Sequence, residues 1–275
     1  MIKIKNIFFT IISCLYFLCV FSEEIPQDLK KIIDKGTLEV AMYAEDVPPF
    51  FMHFKTGEFK GIDVEIATDI AKRLGVKLKI NRDATTFDML SELLINGKVD
   101  MVISIFSQTL KRAKTIRFSK PYIMLHPALI INRLKSAKYK KGAKTTVYLN
   151  NPELTIGVIE GTSYVGFAKE EYPNANFKLY KDWSSISKDV VKGEIIAAYY
   201  DNIEIQNWSN ENPDASIYLQ TVIRKDKFDP IAIGLNYKDT HLLSWVNLYF
   251  DIINNDGTMK YLKNKYLESD KWKKL

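Results

Sequence analysis

Gly97-Lys-Val-Asp-Met-Val-Ile-Ser-Ile-Phe-Ser-Gln-Thr-Leu-Lys-Arg-Ala-Lys-Thr-Ile-Arg-Phe-Ser-Lys-Pro-Tyr122 decides how this 275-residue chain is read. Asp100 is followed by a continuous apolar run, so Val99 to Ile105 reads as a strand covered on both faces of a parallel sheet. A short polar turn leads to a helix start carrying Arg112. Thr109, three residues earlier, is suited to N-cap it through its hydroxyl. A strand end feeding a helix N-terminus with an arginine in its first turn suits a small anion such as a carboxylate, because open amides and a planar guanidinium converge there. By position alone, Arg112 reads equally as one more surface cation in a Lys-rich chain.

Residues 1–22 read as a targeting segment. A basic start (Lys3, Lys5) precedes an apolar run from Ile7 to Phe21 that is too short to span a bilayer. Val20-Phe21-Ser22 before Glu23-Glu24 fits small-residue cleavage. Ile11-Ile12-Ser13-Cys14 loosely resembles a lipoprotein cleavage box, but the sequence after Cys14 stays apolar, so cleavage after Ser22 is the expectation. Cys14 and Cys19 both leave with this segment. The remaining chain then has no disulfide, zinc–thiolate site or cysteine nucleophile.

Removing Lys3 and Lys5 leaves 37 cationic side chains against 33 acidic ones, a net charge of +4. That excess is no nucleic-acid footprint. The dense basic run Lys135 to Lys144 lacks interleaved aromatics and reads as a solvated loop.

With 47% hydrophobic residues, the exported part can bury a large core or two smaller ones. Thr37 to Met42 alternates as a strand. Val64 to Leu74 has helical spacing with Gly75 as its stop, Val76 to Ile80 alternates, and Phe87 to Leu94 reads as a helix ending near Gly97. With the opening stretch this makes β-α-β-α-β, the pattern of a sheet with right-handed crossovers. A second unit begins near Ala128, with strands at Thr155–Ile159, Phe177–Tyr180 and Ile195–Tyr200 and helices through Phe167 and over Trp183–Val191. Two tail helices, Leu242–Ile253 and Met259–Tyr266, follow chain crossings near Met124–Ala128 and Lys225–Ile231.

Several motifs in fixed order carry a family likeness: Gly36-Thr-Leu-Glu-Val-Ala41, Asp46-Val-Pro-Pro-Phe50, Gly61-Ile-Asp-Val-Glu-Ile-Ala67, Gly97-Lys-Val-Asp100, Ser107-Gln-Thr-Leu-Lys-Arg112, Phe118-Ser-Lys-Pro-Tyr122, Gly157-Val-Ile-Glu-Gly-Thr162 and Asp256-Gly-Thr258. Through them the chain resembles the bacterial extracellular solute-binding proteins of the polar amino-acid type (family 3), which serve ATP-driven (ABC) importers. The resemblance implies a two-lobed α/β Venus-flytrap fold, each lobe a mostly parallel sheet flanked by helices, closing about a two-strand hinge. The implied division is 23–126 with 228–275 for lobe 1 and 127–227 for lobe 2. It also implies an exported, monomeric protein without cofactor or metal. Such a protein works in the periplasm or at the outer face of the cytoplasmic membrane, capturing a free amino acid for a membrane permease.

Carried over position by position, Arg112 takes the ligand's α-carboxylate, aided by Ser107. Thr162 and Ser163 offer amides to the same group from the other lobe, Asp201 receives the α-ammonium, and Phe87 packs along the side chain. Ser104 is a further ligand-binding candidate. Physics agrees: burying a zwitterion is costly unless both charges meet partners. Bland roles stay open: Asp201 as an N-cap for the helix beginning at Asn202, Ser163 as a routine cap, Phe87 as core, and Pro48-Pro49-Phe50 as a rigid loop.

Two departures blur specificity. Val47 stands where many relatives carry an aromatic, and Ile105 where a small residue is common. The Phe106–Arg112 run is similar to binders of acidic amino acids, a slight lean only. The competing class is a cyclohexadienyl or arogenate dehydratase, similar to the same fold, with Asp201 as general acid. A sensory domain is a third class, disfavoured because the two lobes are followed by no signalling module in this sequence. His53, His126 and His241 show no metal-ligand spacing.

Overall fold

Leu38, Val40 and Met42 are buried along one strand, on which Ala41 is buried as well, and this strand anchors the first sheet. The computed structural model describes residues 24–142 and 145–268; the reading of 1–22 as a leader, with Cys14 and Cys19, lies outside them. Helix α1 (Gln27–Lys35) leads to β1 (Thr37–Tyr43), the hairpin β2 (Met52–His53) and β3 (Phe59–Lys60), then α2 (Ile62–Arg73) and β4 (Lys77–Ala84). After these come α3 (Phe87–Ile95), β5 (Met101–Val102) and β6 (Ile116–Phe118).

Strand β7 (Ile123–Leu125) then carries the chain toward β8 (Pro127–Asn132), α4 (Arg133–Lys140), β9 (Thr155–Ile159), α5 (Tyr164–Glu171) and β10 (Asn176–Tyr180). Next are α6 (Trp183–Lys192), β11 (Ala197–Asp201), α7 (Asn202–Glu211) and β12 (Leu219–Ile223). The return runs through β13 (Asp229–Ile231) to β14 (Gly234–Asn236), α8 (Thr240–Asn255) and α9 (Thr258–Tyr266).

Two five-stranded sheets result, ordered β4-β1-β5-β14-β6 and β10-β9-β11-β8-β12. Strands β7 and β13 pair antiparallel between them, with Asp229 opposite Leu125 and Ile231 opposite Ile123. These are the two connecting strands of a two-lobed α/β fold. Within each sheet, two pairings are parallel and two antiparallel, so the sheets are mixed rather than mostly parallel. The antiparallel half arises because β8 and β14, which follow the crossings, each run against both of their neighbours.

One apolar core fills the first lobe and two smaller ones flank the second sheet. No helix among the described residues is long and apolar enough to cross a membrane.

The opening stretch folds differently in detail from its periodicity. Its ladder stops at Val102. Ile105 adopts a left-handed backbone (φ 45°), which ends any extended run. Buried Asp63 accepts the Ile105 N–H at 2.6 Å and the Tyr122 hydroxyl at 2.7 Å. Arg112 sits in a single 3-10 turn, Arg112–Lys114, rather than a longer helix. Thr109 nonetheless caps it, accepting the Arg112 N–H at 3.2 Å. The basic run also differs from its reading as a loop, because helix α4 covers much of it. Asn132 caps that helix by accepting the Lys135 N–H at 2.9 Å, and Lys135 Nζ donates to the Gly193 carbonyl at 2.7 Å.

Candidate functional site

The two lobes meet over a small cavity with about 270 Å³ of space, including its open mouth. Phe87, Ser107 and Arg112 line it from the first lobe; Thr162, Ser163 and Asp201 line it from the second. Six of the seven residues singled out from sequence therefore converge. Ser104 does not join them: it is fully buried, and its hydroxyl accepts the Tyr43 N–H at 2.9 Å.

Arg112 is positioned by its own turn. Its guanidinium lies over the Phe106 ring at 4.2 Å and donates to the Ser107 carbonyl at 3.1 Å. The nearest carboxylate, half-exposed Asp88, is 3.6 Å away. Arg112 is only 6% exposed. Burial pulls its pKa down, while the charges of Asp88 and Asp229 push it back up. A desolvated guanidinium with one long ion pair retains donors for a planar anion.

On the opposite lobe, the Thr162 hydroxyl donates to the Ile159 carbonyl at 2.7 Å. Thr162 thus holds the loop before α5 through its side chain. Ser163 has helical backbone angles and makes no side-chain cap to α5. Its hydroxyl instead meets that of Ser107 at 2.7 Å, across the cleft. The N-terminal end of α5 therefore faces the cavity beside Arg112, as an anion site requires.

Asp201 ends β11 and caps α7, accepting the Glu204 N–H at 2.8 Å. The same side chain that caps the helix also lines the cavity. Burial raises its carboxyl to about 6, against backbone hydrogen bonds that lower it. Phe87, at the start of α3, stacks on Tyr43 with ring centroids 4.9 Å apart. It is wall and core at once.

Asp229 escaped the sequence reading. It lies on β13 and lines the cavity, and its Oδ2 accepts the Ser107 hydroxyl at 2.9 Å and the Tyr164 hydroxyl at 2.7 Å. Its Oδ1 is buried without a hydrogen-bond partner. Burial raises the carboxyl to about 7; the two hydroxyl donors oppose this and Asp201 adds to it. The signal was present as a lone acid leading the apolar run Asp-Pro-Ile-Ala-Ile, where a strand interior would be apolar. Tyr164 and Tyr200, also cavity-lining, were missed because aromatics in a strand or helix read as core.

Residues 38–269 match the bacterial extracellular solute-binding proteins, family 3. The chain belongs to that family. Among relatives of this family member, membrane-bound lytic murein transglycosylase F of Vibrio cholerae is 24% identical over 277 residues, covering 97% of this chain and 51% of the relative. The chain therefore spans about half the length of that relative. The arginine-binding periplasmic protein of Mannheimia haemolytica is 25% identical over 238 residues, 86% of this chain and 94% of its own. The crystal structure of an ancestral amino acid-binding protein, described as a precursor of cyclohexadienyl dehydratase, superposes with a TM-score of 0.72. It is 28% identical, and the match covers 86% of this chain and 98% of that one.

Proposed function

We propose that the exported chain is the substrate-binding component of an amino-acid ABC importer, capturing a free amino acid between its lobes and presenting it to a membrane permease. The observation that carries this reading is Arg112, buried with one long ion pair, in the same cavity as the Asp201 carboxyl. Arg112 and Asp201, facing a shared space from opposite lobes, match the two ends of a zwitterion. In this reading Arg112, Ser107, Thr162 and Ser163 hold the α-carboxylate. Asp201 takes the α-ammonium, and Phe87 lies along the side chain.

The jaws are 23–126 with 228–275, and 127–227, and the protein acts as a monomer in the periplasm or at the outer face of the cytoplasmic membrane. The apolar leader at 1–22 supports export.

A second reading has one specific argument. A dehydratase needs a protonated acid in the cleft, and burial raises both Asp229 and Glu204 to about 7. A thermal-shift screen against the twenty amino acids tests the first reading. A ligand at a hundredfold excess over its Kd adds about 2.7 kcal/mol. No shift with any amino acid, together with turnover of prephenate or arogenate, would replace binding with catalysis.

A further inference from the structure

Beyond Phe87 and Tyr200 lies a second, larger chamber with about 1200 Å³ of space, including its open mouth. Both rings line the two chambers in common, so the chambers adjoin at Phe87 and Tyr200. Glu45, Asp46, Glu160, Asp182 and Glu204 line this outer chamber, against the single cation Lys181. Asp46 is already paired with Arg82 at 3.1 Å, and Asp182 caps α6 through the Ser185 N–H at 2.7 Å. Among the described residues, no ion pair engages Glu45, Glu160 or Glu204.

Aromatic rings supply the walls. Tyr43 stacks on Phe87, and Trp183 on Tyr200 with centroids 5.8 Å apart. Burial, then the charges of Glu45 and Asp182, raise the Tyr43 hydroxyl above its ordinary value, so both acids act on this wall. Ring faces with acids around them attract a cation by two independent electrostatic routes.

The inner chamber carries an imbalance of the same sign. Asp229 is 1% exposed, lines the cavity, and keeps Oδ1 without a partner. Asp201 and Asp229 there face one guanidinium. With the Asp229 carboxyl raised to about 7, that excess is fullest above neutral pH, where a ligand with a further positive charge reduces it.

We propose that the cleft takes an amino acid of net positive charge, its basic side chain seated in the outer chamber between the Tyr43–Phe87 and Trp183–Tyr200 walls. This rests on the amino-acid reading above and names its substrate class. It reverses the slight lean toward acidic amino acids taken from Phe106–Arg112.

Isothermal titration of the purified protein tests it with matched pairs: arginine against citrulline, lysine against norleucine, and glutamate as the opposite charge. The expected result is that at least one basic amino acid binds tenfold or more tighter than its uncharged counterpart, with glutamate weakest. Citrulline, norleucine or glutamate binding as tightly as the basic ligands would overturn the proposal while leaving the amino-acid reading intact. Binding of no amino acid at all would remove both. Glu45→Gln with Asp182→Asn keeps the α6 cap, since asparagine caps as well as aspartate. This variant should weaken arginine at least fivefold and change citrulline less than twofold. Equal losses for both ligands would contradict a cation site.

Discussion

Ser107 and Ser163, on opposite lobes, meet hydroxyl to hydroxyl at 2.7 Å, and Ser107 simultaneously donates to Asp229 at 2.9 Å on a connecting strand. Tyr164, next to Ser163, donates to the same Asp229 oxygen at 2.7 Å. One carboxylate oxygen thereby ties both lobes to the hinge at the cavity that Arg112 and Asp201 share. The binding groups and the closing contacts belong to a single network.

Arg112→Lys keeps the charge but loses the planar fork. Losing one charge-assisted hydrogen bond costs about 1.5–3 kcal/mol. Calorimetry should therefore show affinity falling roughly tenfold to a hundredfold. Unchanged affinity would remove Arg112 from the carboxylate site.

Asp201→Asn separates two roles of one side chain. Asparagine caps α7 as well as aspartate does, so the melting temperature should change little. Affinity for amino acids should fall, while ligands lacking the ammonium are spared. A large loss of stability with no selective loss of affinity would make Asp201 a cap alone.

Binding should depend on pH through the same carboxyl. The Asp201 carboxyl is raised to about 6, and only its ionised form pairs with an ammonium. Lowering the pH from 7 to 5 should weaken binding roughly tenfold, read by titration in matched buffers. The Asp201→Asn variant should lose this dependence.

Asp63 gives a stability counterpart. Its carboxyl is raised from 3.8 to about 7 by burial, so the folded chain holds a proton that the unfolded chain releases. That contribution is full below about pH 4 and is lost as pH rises through about 7. Asp63→Asn should flatten this fall in urea denaturation between pH 5 and 8. It should also cost about 1–3 kcal/mol, because one amide oxygen cannot serve both Ile105 and Tyr122 as the carboxyl does. An unaltered pH slope would show that the Asp63 proton is not linked to folding.

Gly161 tests closure. It has φ +74°, and a Cβ there would stand 2.9 Å from the Thr86 Cβ on the other lobe. Gly161→Ala should weaken ligand binding by about 1–3 kcal/mol by straining the turn and holding the lobes apart. Solution scattering should show a smaller ligand-induced compaction than in the unaltered protein.

The helices and most strands were legible because their periodicity is local: α2, α3, α6 and the tail helices fall within a few residues of their apolar spacing. Convergence of Arg112 with Asp201 was reachable only through the ordered motifs, since no local signal links residues so far apart in the chain. The short ladder at Met101–Val102 was not legible. What ends it is the Ile105 backbone, held by Asp63 from another element. Helix α4 was hidden because its exposed lysines mask a real N-cap at Asn132. Asp229 was overlooked because a chain crossing was read for its course rather than for what its side chains face.

The central claim is that Arg112 and Asp201 hold the two ends of one amino acid. Its most direct test titrates the protein with the best amino acid from the screen, with its α-amide, and with its N-acetyl derivative. Each change blocks one charged end. The expected result is tight binding of the free amino acid and at least a hundredfold loss for both blocked forms. Undiminished binding of either form would contradict the claim.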